Sequence, residues 1–133
     1  MNLMEAYEIV LVSRFSAAHR LKLAGGEFEP LHGHNWRVEV ELAGLRLDAQ
    51  GMLADFTDME PALKTITGRL HYTHLNDLPA FAGCNPSTEN VARHVAEQFA
   101  QVVKPPVRIV RVRVWETEDC AAAYVPASEL RGG

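Results

Sequence analysis

Leu31-His32-Gly33-His34-Asn35-Trp36-Arg37-Val38-Glu39-Val40-Glu41-Leu42 opens on two histidines and runs on as a strict alternation. From Trp36 onward apolar and charged residues alternate, as in a strand with one buried and one wet face. Side chains two apart on a strand share a face. His32 and His34 therefore lie with Trp36, Val38, Val40 and Leu42, on the side that turns to the core. A buried imidazole nitrogen needs a partner. Two readings supply one: a metal ion shared by the pair, or two ordinary core histidines hydrogen-bonded to their surroundings.

Tyr7, Ile9, Leu11, Ser13, Phe15 and Ala17 occupy one parity of an earlier strand, and His19 ends the series. If the two strands are antiparallel neighbours, His19 arrives beside His32. Three histidines with no obvious fourth side chain match the ligand count of a catalytic zinc site, which keeps one position for water or substrate. Such an ion polarises a hydroxyl or carbonyl and acidifies the adjacent C–H. A second inward polar group stands near the C-terminus. Val110, Val112 and Val114 share a parity with Glu116, and an unpaired carboxylate there is costly. Glu116 either accepts hydrogen bonds from a planar, donor-rich ligand or is a strand-end residue reaching solvent.

The remaining segments complete the frame. Arg20–Pro30 reads as a loop carrying Gly25-Gly26, Glu27 and Glu29. Thr57 and Glu60 suggest a capping box for a first helix, with Pro61 in its first turn and Met59, Leu63, Ile66 and Leu70 as its stripe. Leu70 to Gly83 reads as irregular. Asn85 and Pro86 suit the cap and first position of a second helix, lined by Val91, Val95, Phe99 and Val102 and stopped by Pro105-Pro106. Val107–Trp115 and Ala121–Val125 are the last two strands. The order ββααββ implies an α+β fold, a four-stranded antiparallel sheet with two helices on one face. Its open edges favour pairing with another subunit.

The 133 residues read as a single domain, 1–133. A net charge of −4 argues against a general nucleic-acid or anionic-membrane binder. Cys84 and Cys120 have no metal or redox spacing; they read as two reduced, buried thiols, a lone disulfide being the alternative. Met1–Ala6 lacks the basic and apolar regions of a signal peptide, and no run is long enough to span a membrane. The expected location is the cytoplasm.

Several motifs, taken in order, carry a family resemblance. They are Phe15-Ser16-Ala17-Ala18-His19, Leu31-His32-Gly33-His34-Asn35, Leu53-Ala54-Asp55-Phe56, Leu75-Asn76-Asp77, Asn85-Pro86-Ser87-Thr88-Glu89-Asn90 and Trp115-Glu116-Thr117. Together they resemble the 6-pyruvoyltetrahydropterin synthase / 6-carboxytetrahydropterin synthase family over nearly the whole chain. The resemblance implies a T-fold (tunnelling fold) subunit, assembled into homo-oligomeric trimers or hexamers with active sites between subunits. It implies that His19, His32 and His34 hold zinc and that Glu116, beside Thr117, clamps the pterin ring. The implied substrate is 7,8-dihydroneopterin triphosphate, converted by a lyase that serves queuosine or folate biosynthesis.

The chain departs from the family pattern in two places. Where the family carries its catalytic cysteine, four residues before the first histidine of His-Gly-His, this chain has Phe28. The family's Asp-His pair falls, without a gap, on His71 and Tyr72; a one-residue slip would place His71 at the histidine and Leu70 at the aspartate. Glu29, three residues before His32, resembles a branch in which glutamate replaces the cysteine and the product is 6-hydroxymethyl-7,8-dihydropterin. The resemblance thus makes Glu29 the catalytic base, with His71 and Tyr72 as proton-shuttle candidates. Arg14, Arg20 and Lys22 are candidates for phosphate contact. A zinc- and pterin-binding homologue with altered or lost catalysis is the remaining alternative.

Overall fold

The computed structural model describes residues 6–127. The reading of the N-terminal Met1–Glu5 lies outside them. Strands β1 (Tyr7–His19) and β2 (His32–Gly44) lead into helix α1 (Phe56–Leu70). A two-residue strand β3 (Thr73–His74) and two short 3-10 turns follow. Helix α2 (Thr88–Phe99) and strands β4 (Arg108–Trp115) and β5 (Ala121–Tyr124) complete the described chain.

The sheet has five strands in the order β3-β1-β2-β4-β5, and β3 runs parallel to β1. This corrects the four-stranded antiparallel expectation. The cause is local: beyond α1 the chain turns back at Tyr72 (φ 57°), whose amide donates to the Ser16 carbonyl at 2.7 Å. Two residues of strand are too few to show any periodicity. The other pairings are antiparallel, and β1 faces β2 in unbroken register from Tyr7 opposite Gly44 to His19 opposite His32.

The alternation read in the sequence sets the layers. Leu11, Phe15, Trp36, Val38, Val40, Leu42, Val112 and Val114 are buried against Leu63, Ile66 and Leu70 of α1 and Val91, Val95 and Phe99 of α2. The opposite sheet face carries a charged ladder in which Glu41 pairs with Arg111 at 2.6 Å and Arg113 at 3.1 Å.

The helix starts differ from the sequence reading. Asp55, not Thr57, caps α1 by accepting the Thr57 amide at 2.9 Å. Pro61 consequently sits in the second turn, and Glu60 pairs with Lys64 at 3.0 Å instead of closing a box. Ser87, not Asn85, caps α2 through the Asn90 amide, and Val102 lies beyond the helix end at Phe99. Cys84 and Cys120 are free, as expected, but both are exposed. They lie in the irregular segment before α2 and in the β4–β5 turn, where no core reaches them. No helix of the described residues is long and apolar enough to cross a membrane.

Candidate metal and pterin site

The β1–β2 register places His19 directly opposite His32, and Ala17 opposite His34. One potential ligand nitrogen from each of the three histidines falls within 4.8 Å of the others. The rings meet edge to face, with centroids 4.7 to 5.2 Å apart. Their floor is Trp36, fully buried, stacked on Phe15 and tied by its indole N–H to the Ala17 carbonyl at 3.2 Å.

Backbone carbonyls set the ring tautomers. His19 Nδ1 lies 2.8 Å from the Pro86 carbonyl, and His32 Nδ1 lies 2.8 Å from that of Pro30. A carbonyl only accepts, so each Nδ1 bears the hydrogen and each neutral ring turns a bare Nε2 toward the cluster. Among the described residues, Nε2 of His19 and of His34 is buried without a hydrogen-bond partner. Buried, unpaired lone pairs converging on one space are what a divalent cation satisfies. Burial pushes the His34 pKa below its ordinary value; Glu116 and Glu29 oppose this, while His19 and His32 add to it. The ring is thus kept neutral, as a ligand must be.

Two carboxylates flank the rings. Glu116 Oε1 lies 3.3 Å from His19 Nε2 and 3.7 Å from His34 Nε2, and accepts the Thr88 hydroxyl at 3.2 Å. Glu29 Oε1 lies 3.9 Å from His32 Nε2 and accepts the Leu21 amide at 3.0 Å. Thr117 accepts the Asp119 and Cys120 amides on its hydroxyl oxygen, which leaves its O–H to donate. With Glu116, Trp115 and Arg14 it lines a cleft of about 730 Å³.

The segment after His19 is clasped from both sides. Asn76 accepts the Arg20 amide at 3.0 Å and donates to the Arg20 carbonyl at 2.7 Å. Asn85 does the same to Lys22, at 2.8 and 3.0 Å. Both asparagines stand in motifs the sequence singled out; their backbone-mimicking role had no signature there, and neither did Thr88 or the two proline carbonyls. Arg20 and Lys22 line a second cleft of about 650 Å³ with Phe28, over whose ring the Arg20 guanidinium lies at 4.3 Å. Arg14 is separated from them.

His71 and Tyr72 stack on each other beside Ser16 of β1: Nδ1 of His71 accepts the Ser16 amide at 3.0 Å, and the Tyr72 amide donates to the Ser16 carbonyl. Tyr72 is 84% exposed. Neither hydrogen-bonds to the three histidines. His74 pairs with Asp77 at 3.3 Å, and its Nε2 is buried without a hydrogen-bond partner among the described residues.

A helix-backed sheet that gathers three imidazoles able to hold a metal ion and two carboxylates at one end is an arrangement of the tunnelling-fold class. The profile of the 6-pyruvoyl tetrahydropterin synthase family matches residues 8–127, and the chain belongs to that family of pterin-processing enzymes. It is 30% identical over 108 residues to the dihydroneopterin monophosphate aldolase of Pyrococcus furiosus, covering 81% of this chain and 88% of the relative. The 6-pyruvoyl tetrahydropterin synthase structure of Caenorhabditis elegans superposes with a TM-score of 0.80 at 24% identity, over 95% of this chain and 99% of that one. A Plasmodium vivax 6-pyruvoyltetrahydropterin synthase in which a catalytic glutamate is replaced by alanine superposes with a TM-score of 0.74 at 17% identity, over 90% and 97% of the two chains.

Proposed function

We propose that this chain is a zinc-dependent lyase acting on the hydroxylated side chain of 7,8-dihydroneopterin triphosphate or a close relative, with Glu29 as the base. The observation that carries the reading is the pair of proline carbonyls that turn His19 and His32 Nε2 inward, where carboxylates already stand. His19, His32 and His34 hold the ion. When bound, zinc supplies Lewis acidity toward a side-chain oxygen and lowers the barrier to removing a neighbouring proton.

The chain's own groups do the rest. Glu116 accepts the N–H donors of the pterin ring edge, and Thr117 donates beside it. Arg20 and Lys22, gathered in one cleft, contact the phosphates. Glu29 is anchored by the Leu21 amide through Oε1, which leaves Oε2 to take a proton from a substrate C–H or O–H. His71 and Tyr72, projecting from the β1 edge, relay protons in the site of a neighbouring copy of a trimer or hexamer.

A second reading follows from the same base. No cysteine joins the three-histidine cluster: Phe28 takes the family position, Cys120 lies exposed in the β4–β5 turn, and Cys84 lies on the wall of the Arg20–Lys22 cleft. With a carboxylate as base, removal of the 2′-hydroxyl proton breaks the C1′–C2′ bond. The electron pair passes into the ring imine, C1′ is reprotonated, and 6-hydroxymethyl-7,8-dihydropterin leaves with a phosphorylated two-carbon aldehyde. The aldolase name of the Pyrococcus relative supports this branch.

Incubating the zinc-loaded protein with dihydroneopterin triphosphate and monophosphate, and identifying products by mass, separates the readings. A carboxy- or pyruvoylpterin supports the synthase, and a hydroxymethylpterin supports the aldolase. Unchanged substrate overturns both in favour of a binding homologue. Glu29→Gln should lower kcat by about a hundredfold to ten-thousandfold, the usual range for a general base; unchanged turnover removes Glu29 from the chemistry.

A further inference from the structure

We propose that Glu116 is also a fourth, displaceable ligand of the cation held by His19, His32 and His34. The inference rests on the reading of those histidines as a metal site and assigns the carboxylate a second task beside the pterin ring.

The His19 ring already donates from Nδ1 to the Pro86 carbonyl at 2.8 Å, so in the neutral ring Nε2 is a bare acceptor. Glu116 Oε1, also an acceptor, faces it at 3.3 Å, and the His19 side chain is only 1% exposed. Two acceptors opposed where one of them is sealed from solvent need a positive charge between them. A proton on Nε2 or a shared metal ion supplies it, and the distance discriminates. A charge-assisted N–H to carboxylate contact closes to about 2.7–2.9 Å. Two ligands of one tetrahedral zinc, each bound at about 2.0–2.2 Å, stand about 3.3–3.5 Å apart. The His19 separation falls in the second range. The same oxygen lies 3.7 Å from His34 Nε2, itself buried and unpartnered. One proton serves one ring, whereas one cation serves both.

The carboxylate is held in this direction yet reachable. Thr88, in the first turn of α2, donates its hydroxyl to Oε1 at 3.2 Å. The Glu116 side chain is nevertheless 29% exposed, and it borders the cleft shared with Trp115 and Thr117. A ring edge entering that cleft competes with the cation for the same oxygens. The resting site is then closed by four protein ligands, and ring binding opens one position for a substrate oxygen.

Cobalt provides a readout independent of turnover. Metal-free wild-type protein and Glu116→Gln are titrated with Co²⁺ against a competing chelator, and the visible d–d absorption is recorded with and without unsubstituted pterin. The expected result is a ten- to hundredfold weaker Co²⁺ affinity in E116Q, with an altered band as water takes the vacated position. In the wild type, saturating pterin should shift the band as the carboxylate leaves. Equal affinity and spectrum in a folded E116Q overturn the proposal, as does a wild-type band that bound pterin leaves unmoved. If E116Q does not fold, the wild-type pterin titration decides alone. Wild-type protein that takes up no Co²⁺ overturns the metal reading itself, and this inference with it; tight uptake by both proteins overturns only the role of Glu116.

Discussion

Ser13 Oγ and Thr67 Oγ1 stand 2.7 Å apart where α1 crosses β1, and both residues are buried. A buried hydroxyl that loses its partner costs about 1–3 kcal/mol, while removing both partners together is far milder. Thr67→Val should therefore destabilise the fold by about 1–2 kcal/mol, and adding Ser13→Ala should cost much less than Ser13→Ala does alone. Urea denaturation of the four proteins measures the coupling. Ser13 was legible as a core-facing residue because strand parity placed it among apolar neighbours, and the same parity found His19, His32, His34 and Glu116. The carbonyls of Pro30 and Pro86 were not legible, because a backbone acceptor looks alike at every residue. The destination of His71 and Tyr72 was not legible either, since it depends on one left-handed residue at Tyr72.

Among the elements, long periodic segments could be read and their junctions could not. β1 and β2 kept their bounds at the histidines because thirteen residues of alternation leave little choice of register. Helix starts moved because several adjacent residues can cap: Asp55 and Thr57, or Asn85 and Ser87, compete locally, and tertiary contacts decide. Asn85 is engaged by Lys22 on both of its amide atoms, so Ser87 takes the cap. Asn85→Ala should lower stability by about 1–3 kcal/mol. It should also weaken Co²⁺ binding, because the Pro86 carbonyl that orients His19 follows Asn85 in the chain; thermal melts and chelator competition check the two effects. On α2, burial beside Phe81 holds the His94 pKa below its ordinary 6.5, with Glu97 opposing. The unfolded chain therefore takes up the proton first as pH falls. The stability this group contributes is complete above 6.5 and declines as pH drops through 6.5 toward the lower folded value. His94→Gln should flatten that part of the curve when urea midpoints at pH 7.5 and 5.5 are compared.

For the whole molecule, the sheet's two bare edges follow from its strand lengths. β3 covers only Ala17 and Ala18 of the thirteen-residue β1, and β5 has only four residues and no outer neighbour among the described residues. Unpaired edges invite another strand, and Val10 stands 48% exposed on β1. The proposed assembly separates two requirements that a monomer would join. Metal uptake on the proposed reading draws on His19, His32, His34 and Glu116, all from one chain. Turnover on the proposed reading also needs His71, whose Nδ1 in its own chain is taken by the Ser16 amide, and Tyr72, whose side chain stands exposed. Val10→Lys places a charge where a partner strand would approach, a device that blocks edge pairing. Light scattering should then show the mass falling from three or six chains to one. Co²⁺ affinity should stay within a few-fold of the wild type, while turnover should drop by at least a hundredfold. A monomeric variant with full activity would place the whole site within one chain and leave His71 and Tyr72 without a part in it.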